Sequence, residues 1–327
     1  VTLGGFILLP FGIWGRSAFL AERPLGYVVS AGLKVLALAI VVSGARAVFD
    51  QLQPTDNPDV YEALTILVAA MLLAMLAVFI PNLAAALVTG GARRIGRAVC
   101  LKLASAGFDV AIHHHASGDD AETLVEEIAG LGRSAVALKA DLRDEAAVRA
   151  LIPQAVAALG PVAALVNNAS VFEDDRLGGL SRESWDRHME TNLRAPIVLA
   201  EAFAAQGGEG AIVNLLDQKV LKPDPRFFSY SLSRNGLWWA TRTLAQALAP
   251  RIRVNGVGPG PTLSSIHQTE EEFAAEAEGT LLQRPGDPEA VADAVLWLID
   301  AGLVTGQMIA VDGGQHLAWR TPDIVQE

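Results

Sequence analysis

A glycine-rich stretch, TGGARRIG at residues 89–96, carries the clearest chemical signature in the sequence. It follows the apolar run AAALV, which predicts a buried strand, and it leads into a helical stretch at 95–107. Gly90 permits a tight turn, and Gly96 lets the helix pack close to the strand. The free N–H groups at the start of such a helix bind the pyrophosphate of a dinucleotide. Tight turns without a ligand also use glycines, so the flanking strand and helix carry most of the inference.

The charges around this turn indicate which dinucleotide would bind. A site for NAD usually places an acidic residue at the end of the second strand, where it holds the ribose 2′-hydroxyl. Here that strand ends in HHHAS at 113–117 and offers no acid. A 2′-phosphate would instead meet Arg94, His115 and Ser117, so the sequence predicts NADPH as the cofactor. The three consecutive histidines do not predict a metal site, because neighbouring strand residues face opposite sides.

The order of the elements predicts the fold class. Apolar runs typical of strands alternate with helical stretches, and they lie at 84–90, 108–115, 134–142, 162–170, 210–217, 252–260 and 306–314. This alternation predicts an α/β protein with a Rossmann-like, doubly wound parallel sheet. Sheets of this kind bind ligands at the carboxyl ends of their strands, which is where the glycine turn lies.

Four motifs in a specific order resemble the short-chain dehydrogenase/reductase family. They are TGGARRIG at 89–96, NNAS at 167–170, YSLSR at 230–234 and NGVGPG at 255–260. The resemblance covers about residues 84–319. Three details are similar to the pteridine reductases and to the bacterial dihydromonapterin reductases, which are also called alternative dihydrofolate reductases. These details are Arg94 in the turn, Phe172 just after NNAS, and Asp217 where most family members carry a serine.

The resemblance implies that a tyrosine carries the reaction. Tyr230 would donate a proton to the substrate while a nicotinamide delivers hydride. A free tyrosine has a pKa of about 10, so it needs a neighbouring cation to act near neutral pH. The family uses a lysine one helical turn further on, and this chain has Arg234 at that position. Asn192 matches the family's structural asparagine, which supports a water near the lysine.

The resemblance also implies the residues that bind substrate and cofactor. Phe172 would stack on a pterin ring, and Asp217 would bind the amino-pyrimidine edge or assist proton delivery. Together with Tyr230 they form the implied substrate site. The implied cofactor contacts are Gly90, Arg94, Ile95, Gly96, His115, Ser117, Asp141, Leu142, Asn168, Ala169, Ser170, Pro259 and Gly260.

Arg234 leaves several activities open. Arginine keeps the positive charge and can bind a ribose hydroxyl, but it does not release its proton and therefore cannot relay one. The sequence allows an NADPH-dependent pteridine reductase that Arg234 slows or alters, and it also allows a regulator that binds the cofactor without turnover. A generic short-chain carbonyl reductase is a further alternative, against which Asp217 and Phe172 argue.

The first third of the chain has a different character. Residues 1–88 carry only nine charged side chains, and ALTILVAAMLLAMLAVFI at 63–80 is uncharged and long enough to cross a bilayer core. Residues 26–49 form a second candidate transmembrane helix, which Lys34 weakens. A buried core helix is the alternative interpretation of either segment.

Residues 1–80, and most clearly 9–41, resemble a fragment of the TrbL family of inner-membrane proteins from conjugative secretion. The resemblance implies membrane character and no transport activity. We therefore expect a membrane-type helical segment at 1–81 and an NADP-binding reductase domain at 82–327, cytoplasmic and anchored to the inner membrane. A chance gene fusion explains the short junction at Pro81 at least as well, and it leaves open a catalytically impaired reductase domain that is a passenger on a piece of a conjugative-transfer membrane protein.

Composition limits the partners further. The net charge of −11 argues against nucleic-acid binding, which needs a basic surface. Cys100 is the single cysteine, so no intrachain disulfide forms and a reducing compartment suits the chain.

The expected partner is a small pteridine substrate. Family members form dimers and tetramers through the helix that carries Tyr230, so a homo-oligomer is expected. Trp238 and Trp239 on that helix lie either at the interface or in the core.

Overall fold

The computed structural model describes residues 84–264 and 268–319 of the chain. The two candidate membrane segments at 26–49 and 63–80 lie outside these ranges, as does the junction at Pro81. Within the described ranges, no helix combines the length and the apolar character that a membrane span requires.

Parallel strands form a seven-stranded sheet at the centre of the described part. In chain order they are β1 (Ala85–Val88), β2 (Asp109–His114), β3 (Ala135–Lys139), β4 (Val162–Asn167), β5 (Gly210–Leu215), β6 (Ile252–Pro259) and β7 (Met308–Val311). Their spatial order is β3-β2-β1-β4-β5-β6-β7, and all neighbours pair in parallel. The predicted Rossmann-like, doubly wound fold is therefore confirmed. The strand order reverses between β1 and β4, which is where such sheets bind ligands.

Helices cover both faces of the sheet. They are α1 (Arg94–Ser105), α2 (Gly118–Gly130), α3 (Glu145–Leu159), α4 (Arg182–Met189), α5 (Ala195–Ala205), α6 (Phe228–Leu248), α7 (Glu270–Glu278) and α8 (Pro288–Asp300). On one face, α1, α2 and α8 join the sheet in one apolar cluster. On the other face, α3, α5 and α6 form a second cluster. The sheet is thus the middle of three layers, as the alternating sequence pattern predicts.

Strand β1 shows why short apolar runs become central strands. All four of its residues are fully buried. Ala86 and Val88 pack into the cluster on one face, whereas Ala85 and Leu87 pack into the cluster on the other. A parallel strand covered by helices on both sides needs apolar residues at every position. This central strand delivers Gly90 to the carboxyl edge of the sheet.

Several element boundaries depend on local backbone chemistry. The helix predicted at 95–107 ends at Ser105, because Gly107 takes a left-handed φ of +100° that stops it. The acidic stretch that the sequence shows at 269–279 forms α7, which begins with a capping box between Thr269 and Glu272. Reciprocal bonds of this type satisfy backbone donors that a helix start leaves free.

Candidate active site

The turn between β1 and α1 has the backbone geometry that its glycines predict. Gly90 takes a φ of +61°, in the left-handed region that favours glycine. A Cβ atom on Gly96 would lie 2.1 Å from the carbonyl oxygen of Gly90, so a larger residue would force helix and turn apart. The start of α1 leaves backbone N–H groups for a ligand, and this arrangement suits a pyrophosphate.

The NNAS motif is tied directly to this turn. The side-chain amide of Asn168 donates to the carbonyl oxygens of Thr89 and Gly90, at 2.9 and 3.0 Å. The backbone N–H groups of Asn168 and Ala169 both donate to the hydroxyl oxygen of Thr89, at 2.9 and 3.0 Å. Two motifs that are far apart in the sequence therefore form one rigid edge at the ends of β1 and β4.

His113 fixes the turn from the other side. Its Nδ1 accepts the backbone N–H of Gly90 at 3.1 Å, so the ring proton lies on Nε2, which donates to the carbonyl oxygen of Ala140 at 3.2 Å. The side chain is 2% exposed, and this burial lowers the pKa of His113 to about 4. The ring is therefore neutral at physiological pH and acts as a structural bridge.

The His113 bridge predicts a loss of stability in mild acid. The unfolded chain binds this proton near pH 6.5 and the folded chain near pH 4, so stability falls as pH drops through that window. Through this shift in pKa, His113 contributes about 3 kcal/mol to the free energy of unfolding near neutral pH, and this contribution is lost in acid. In urea unfolding between pH 7 and pH 4, His113→Gln should show a shallower pH dependence than the unaltered protein. The same substitution at the exposed neighbour, His115→Gln, is the matched control, and a slope in His113→Gln no shallower than in this control would contradict the assignment.

A cavity of about 720 Å³ opens beside the turn, and we call it the first cavity. Of the predicted cofactor contacts, it is lined by Gly90, Arg94, Ile95, Gly96, His115, Asp141, Leu142, Asn168, Ala169 and Ser170. Ser117 is not among its lining residues and lies at the N-terminus of α2. Arg93, Arg143 and Arg187 also line this cavity. Each of these three arginines is paired with a carboxylate: Arg93 with Asp120, Arg143 with Asp141, and Arg187 with Glu173 and Glu183.

Asp141 and Arg143 form a close pair in the first cavity. The Arg143 guanidinium donates to the carboxylate, with NH2 at 2.7 Å from Oδ2, and it lowers the pKa of Asp141 to about 2. The carboxylate is therefore ionised and held in place at the end of β3. Its position beyond that strand is the one that the family resemblance assigns to the adenosine end of the cofactor.

Arg94 has a different environment from the one that charge alone suggests. Its NH2 group donates to the carbonyl oxygen of Leu263 at 3.2 Å, in the segment that follows β6. Arg94 also lines both the first cavity and a second, larger one. The structure therefore places this side chain between the two cavities, where it reaches both the phosphate turn and the segment around Leu263.

The second cavity has a volume of about 1030 Å³ and surrounds Tyr230. Among the predicted residues it is lined by Phe172, Asp217, Tyr230, Arg234, Pro259 and Gly260. It shares Arg94, Ile95, Asn168 and Ser170 with the first cavity. A ligand that extends from the phosphate turn can therefore reach the tyrosine. The structure brings the predicted cofactor and substrate residues together, with the exception of Ser117 and the buried Asn192.

Tyr230 and Asp217 form the polar centre of the second cavity. The Tyr230 hydroxyl donates to Asp217 Oδ2 at 2.7 Å, and the tyrosine is only 5% exposed. Burial raises the pKa of Tyr230 above its ordinary value, and the Asp217 carboxylate raises it further, whereas Arg234 acts in the opposite direction. The hydroxyl therefore keeps its proton, and Arg234 offsets only part of the rise in pKa, whereas the sequence predicts a cation that brings the pKa of the tyrosine towards neutral pH.

Arg234 lies beneath Tyr230 and is buried. Its NH1 group donates to the carbonyl oxygen of Leu215 at 2.9 Å, at the end of β5. Its Cζ lies 5.4 Å from the centroid of the Tyr230 ring. Its Nε has no hydrogen-bond partner among the described residues. The cation is thus anchored to the sheet and faces the ring of the tyrosine, as the spacing of one helical turn predicts.

Asn192 lies in a π-helical turn at Glu190–Arg194 between α4 and α5. Its amide donates to the Val171 carbonyl at 2.9 Å and to the Ser233 hydroxyl at 3.2 Å, and its Oδ1 accepts from the Val171 N–H at 2.9 Å. The asparagine therefore joins α6 to the chain just before Phe172. It lines neither cavity, so its contribution is to the position of its neighbours.

Phe227 and Lys219 lie close to the predicted substrate residues, although no motif singles them out. Phe227 stacks on Phe172 with ring centroids 4.4 Å apart. The Lys219 ammonium lies 4.0 Å from Asp217 Oδ1 and 5.9 Å from the Phe172 ring centroid. Phe227 is three residues before Tyr230 and Lys219 is two after Asp217. Their closeness to motif residues is the only signal in the sequence that points to them.

Comparisons with known proteins agree with this architecture. The short chain dehydrogenase family profile matches residues 84–275, and the TrbL/VirB6 plasmid conjugal transfer protein profile matches residues 1–80. The 3-oxoacyl-[acyl-carrier-protein] reductase FabG of Staphylococcus epidermidis is 33% identical over 240 residues, which cover 71% of this chain and 98% of that protein.

Two solved structures are similar as well. FolM alternative dihydrofolate reductase 1 from Brucella canis, complexed with NADP, is 48% identical with a TM-score of 0.72, covering 75% of this chain and 98% of that one. A blue fluorescent protein from a metagenomic library, in complex with NADPH, is 35% identical with a TM-score of 0.68. The match covers 71% of this chain and 97% of that chain. The family profile, the parallel sheet and these relatives agree, and the chain belongs to the short-chain dehydrogenase family.

Proposed function

We propose that this chain is an NADPH-dependent reductase that transfers hydride to a pteridine of the dihydropteridine or dihydrofolate type. The observation that carries the proposal is the Asp217 carboxylate, which lies 2.7 Å from the Tyr230 hydroxyl in a cavity that Phe172 also lines. An ionised carboxylate only accepts hydrogen bonds, so it suits the N–H donors of an amino-pyrimidine ring. The 48% identity with FolM alternative dihydrofolate reductase 1 supports the same substrate class.

The residues of the second cavity divide the reaction between them. NADPH supplies the hydride when it is bound. Tyr230 donates the accompanying proton to a ring nitrogen of the substrate, and Arg234 stabilises the phenolate that remains. Asp217 orients the amino-pyrimidine edge, and Phe172 provides an aromatic face for the flat ring. Phe227 covers one side of Phe172, so the substrate uses the other side.

The first cavity accounts for the cofactor. The close approach of Gly96 to Gly90 and the start of α1 suit the pyrophosphate, and no acidic residue follows β2 to repel an additional phosphate. We assign the 2′-phosphate to His115, which lines this cavity just past the end of β2; Ser117 does not line it, and Arg94 lies between the two cavities. An acidic residue at the end of β2 would bind the ribose 2′-hydroxyl of NADH. None is present here, so the site favours NADPH over NADH.

Oxidation of NADPH by candidate substrates tests this proposal. The full chain, in membranes or detergent, would be mixed with NADPH and with dihydromonapterin, dihydrobiopterin or dihydrofolate in turn, and the NADPH absorbance followed. Substrate-dependent oxidation is expected with at least one of them. NADPH binding without oxidation of any would instead identify a regulator that binds the cofactor and does not turn over.

The FabG-type relatives favour a second candidate, a reductase of carbonyl substrates such as 3-oxoacyl thioesters. Asp217 is the observation against it, because a negative charge beside the proton donor disfavours the oxyanion that carbonyl reduction forms. An acetoacetyl thioester belongs in the same NADPH assay. Faster turnover of the thioester than of every pteridine would replace the proposed substrate class.

We further propose that the chain divides into a membrane-type segment at 1–81 and a cytoplasmic reductase domain at 82–327. The match of residues 1–80 to the TrbL/VirB6 profile supports an inner-membrane attachment. Fractionation of cells that express the full chain, or a chain starting at residue 82, tests the attachment. The full chain should sediment with membranes and the shorter chain should not.

A homo-oligomer through α6 is also proposed. Trp239 on this helix is 64% exposed, and the Arg242 guanidinium lies over the Trp238 and Trp239 rings at 4.9 and 4.8 Å. An exposed tryptophan flanked by an arginine is typical of the anchors of protein interfaces. Light scattering on the detergent-solubilised chain should give the mass of at least a dimer.

A further inference from the structure

A buried set of polar side chains lies directly behind Tyr230 and takes no part in the proposed chemistry. His188 Nδ1 is 2.6 Å from the Ser229 hydroxyl, and that hydroxyl contacts Oδ2 of Asp175. The backbone N–H of Glu173 donates to His188 Nε2 at 3.2 Å. His188 and Ser229 are completely buried and Asp175 is 6% exposed. None of the three lines the second cavity.

The direction of each hydrogen bond follows from these contacts. His188 Nε2 accepts a backbone proton, so the ring proton lies on Nδ1 and is donated to the oxygen of Ser229. The serine hydroxyl then donates its own proton to the Asp175 carboxylate. The order is histidine, serine, aspartate, whereas a nucleophilic triad needs the histidine in the middle. Ser229 is also closed to the cavity, so the set is not a second catalytic centre.

The set joins three separate parts of the fold. Asp175 ends the segment 172–175, which carries Phe172 and which we call the Phe172 segment. Asp175 Oδ1 accepts the Ser229 N–H at 3.0 Å, and its backbone carbonyl accepts the Phe228 N–H at 2.9 Å. His188 lies on α4, and Ser229 lies in the first turn of α6, immediately before Tyr230. The three side chains therefore connect the Phe172 segment, α4 and the catalytic helix.

We propose that His188, Ser229 and Asp175 are positioning residues that set the spacing between Phe172 and Tyr230. This inference rests on the proposed function, in which the substrate ring binds between these two groups and the cofactor. The Phe172 ring meets the Tyr230 ring edge-on, with centroids 4.8 Å apart. A binding site holds its ligand only when the side chains that contact it are fixed by residues packed behind them, so a loosened spacing of Phe172 and Tyr230 weakens binding of the substrate ring.

Ser229→Ala in the full chain tests the proposal, with Ser231→Ala as a matched control. Both serines are buried on α6 and flank Tyr230, but the Ser231 hydroxyl has no hydrogen-bond partner among the described residues. Ser229→Ala should raise KM for the dihydropteridine about tenfold, with a smaller fall in kcat and an unchanged Kd for NADPH. Ser231→Ala should leave all three values unchanged. An unchanged KM in Ser229→Ala would overturn the proposal, since a merely structural serine would affect only the fraction of folded protein.

Asp175→Asn keeps the shape of the side chain and provides a second variant if Ser229→Ala does not fold. Its amide group meets the serine hydroxyl as a donor, which breaks the order of the three hydrogen bonds. The same rise in KM is expected. An unchanged KM in this variant, too, would overturn the proposal.

Hydrogen exchange separates this proposal from the proposed function. Backbone amides of residues 172–175 should exchange faster in Ser229→Ala and Asp175→Asn than in the unaltered chain, and Ser231→Ala should match the unaltered chain. If no pteridine is reduced but exchange increases in this way, the proposed function fails and the positioning role stands. Unchanged exchange in both variants would overturn the positioning role, whatever the activity.

Discussion

Replacing Tyr230 by phenylalanine is expected to lower kcat for pteridine reduction by about 10²–10⁴-fold, the usual contribution of a positioned general acid. In free energy this is about 3–5 kcal/mol of lost transition-state stabilisation. The hydroxyl is the group that donates to Asp217 at 2.7 Å, and the substitution removes only that group. Stopped-flow NADPH oxidation with saturating substrate would measure the loss.

The aromatic packing of this variant should survive. The edge-on contact of the ring with Phe172 at 4.8 Å and the contact with Arg234 at 5.4 Å involve ring carbons, which phenylalanine keeps. The Kd for NADPH should therefore stay the same, and a thermal melt should show a small change at most. A turnover near that of the unaltered protein, with binding intact, would remove Tyr230 from the role of proton donor.

Asp217, the other member of this hydrogen-bonded pair, is expected to affect substrate binding more than proton donation. Asp217→Asn keeps the shape of the side chain and replaces an acceptor-only group by one that also donates. If Asp217 binds the amino-pyrimidine edge, this change raises KM more than it lowers kcat. Tyr230→Phe is expected to do the reverse. The contrast between the two variants separates substrate orientation from proton donation within one hydrogen-bonded pair.

The layers of the fold are predictable from the sequence because each strand is a short apolar run that ends at turn residues. The runs at 84–90 and 210–217 contain β1 and β5, and each is longer than the strand that forms. The excess residues at the carboxyl ends are the functional ones. Gly90 and Asp217 lie just past the last paired residues, where the chain leaves the sheet to meet a ligand.

The site is less predictable than the sheet, because its contacts join residues that are distant in the chain. His113 binds Gly90 from 23 positions away, and Ser229 binds Asp175 from 54 positions away. Strand alternation gives His113 in β2 and His115 just past it the same orientation, and both line the first cavity, yet His113 is buried in a bridge to Gly90 and His115 is exposed. No periodicity in the sequence distinguishes them, since the difference arises from the packing of β3 and the turn.

Arg234 shows what a motif predicts and what it leaves open. The spacing from Tyr230 correctly places a cation beside the ring, because residues four apart share a helix face. The spacing does not predict that NH1 binds the Leu215 carbonyl while Nε remains without a partner among the described residues. These details depend on the length and planarity of the guanidinium, which a lysine in the same position would not share.

Replacing Arg234 by lysine is therefore expected to raise the turnover of pteridine reduction by about tenfold, because a lysine can pass a proton to the phenolate and an arginine cannot. The control is Arg234→Met, which keeps much of the length and removes the charge. The guanidinium counteracts the rise in the pKa of Tyr230, so the methionine variant should fall about 10²-fold below the unaltered chain. Rates over a range of pH, with NADPH saturating, would measure both changes.

The comparison of the two Arg234 variants separates the effect of passing a proton to Tyr230 from the effect of a positive charge beside it. The methionine variant loses the donor to Leu215 O, which costs about 1–3 kcal/mol of stability if that carbonyl is left without a partner, whereas the lysine ammonium keeps donors. A thermal melt of each variant separates this loss of stability from the change in rate. A lysine variant no faster than the unaltered chain, beside a slow methionine variant, would show that positive charge alone is required at this position. The arginine would then be a sufficient replacement for the family lysine, and the proton would have to reach Tyr230 by another route.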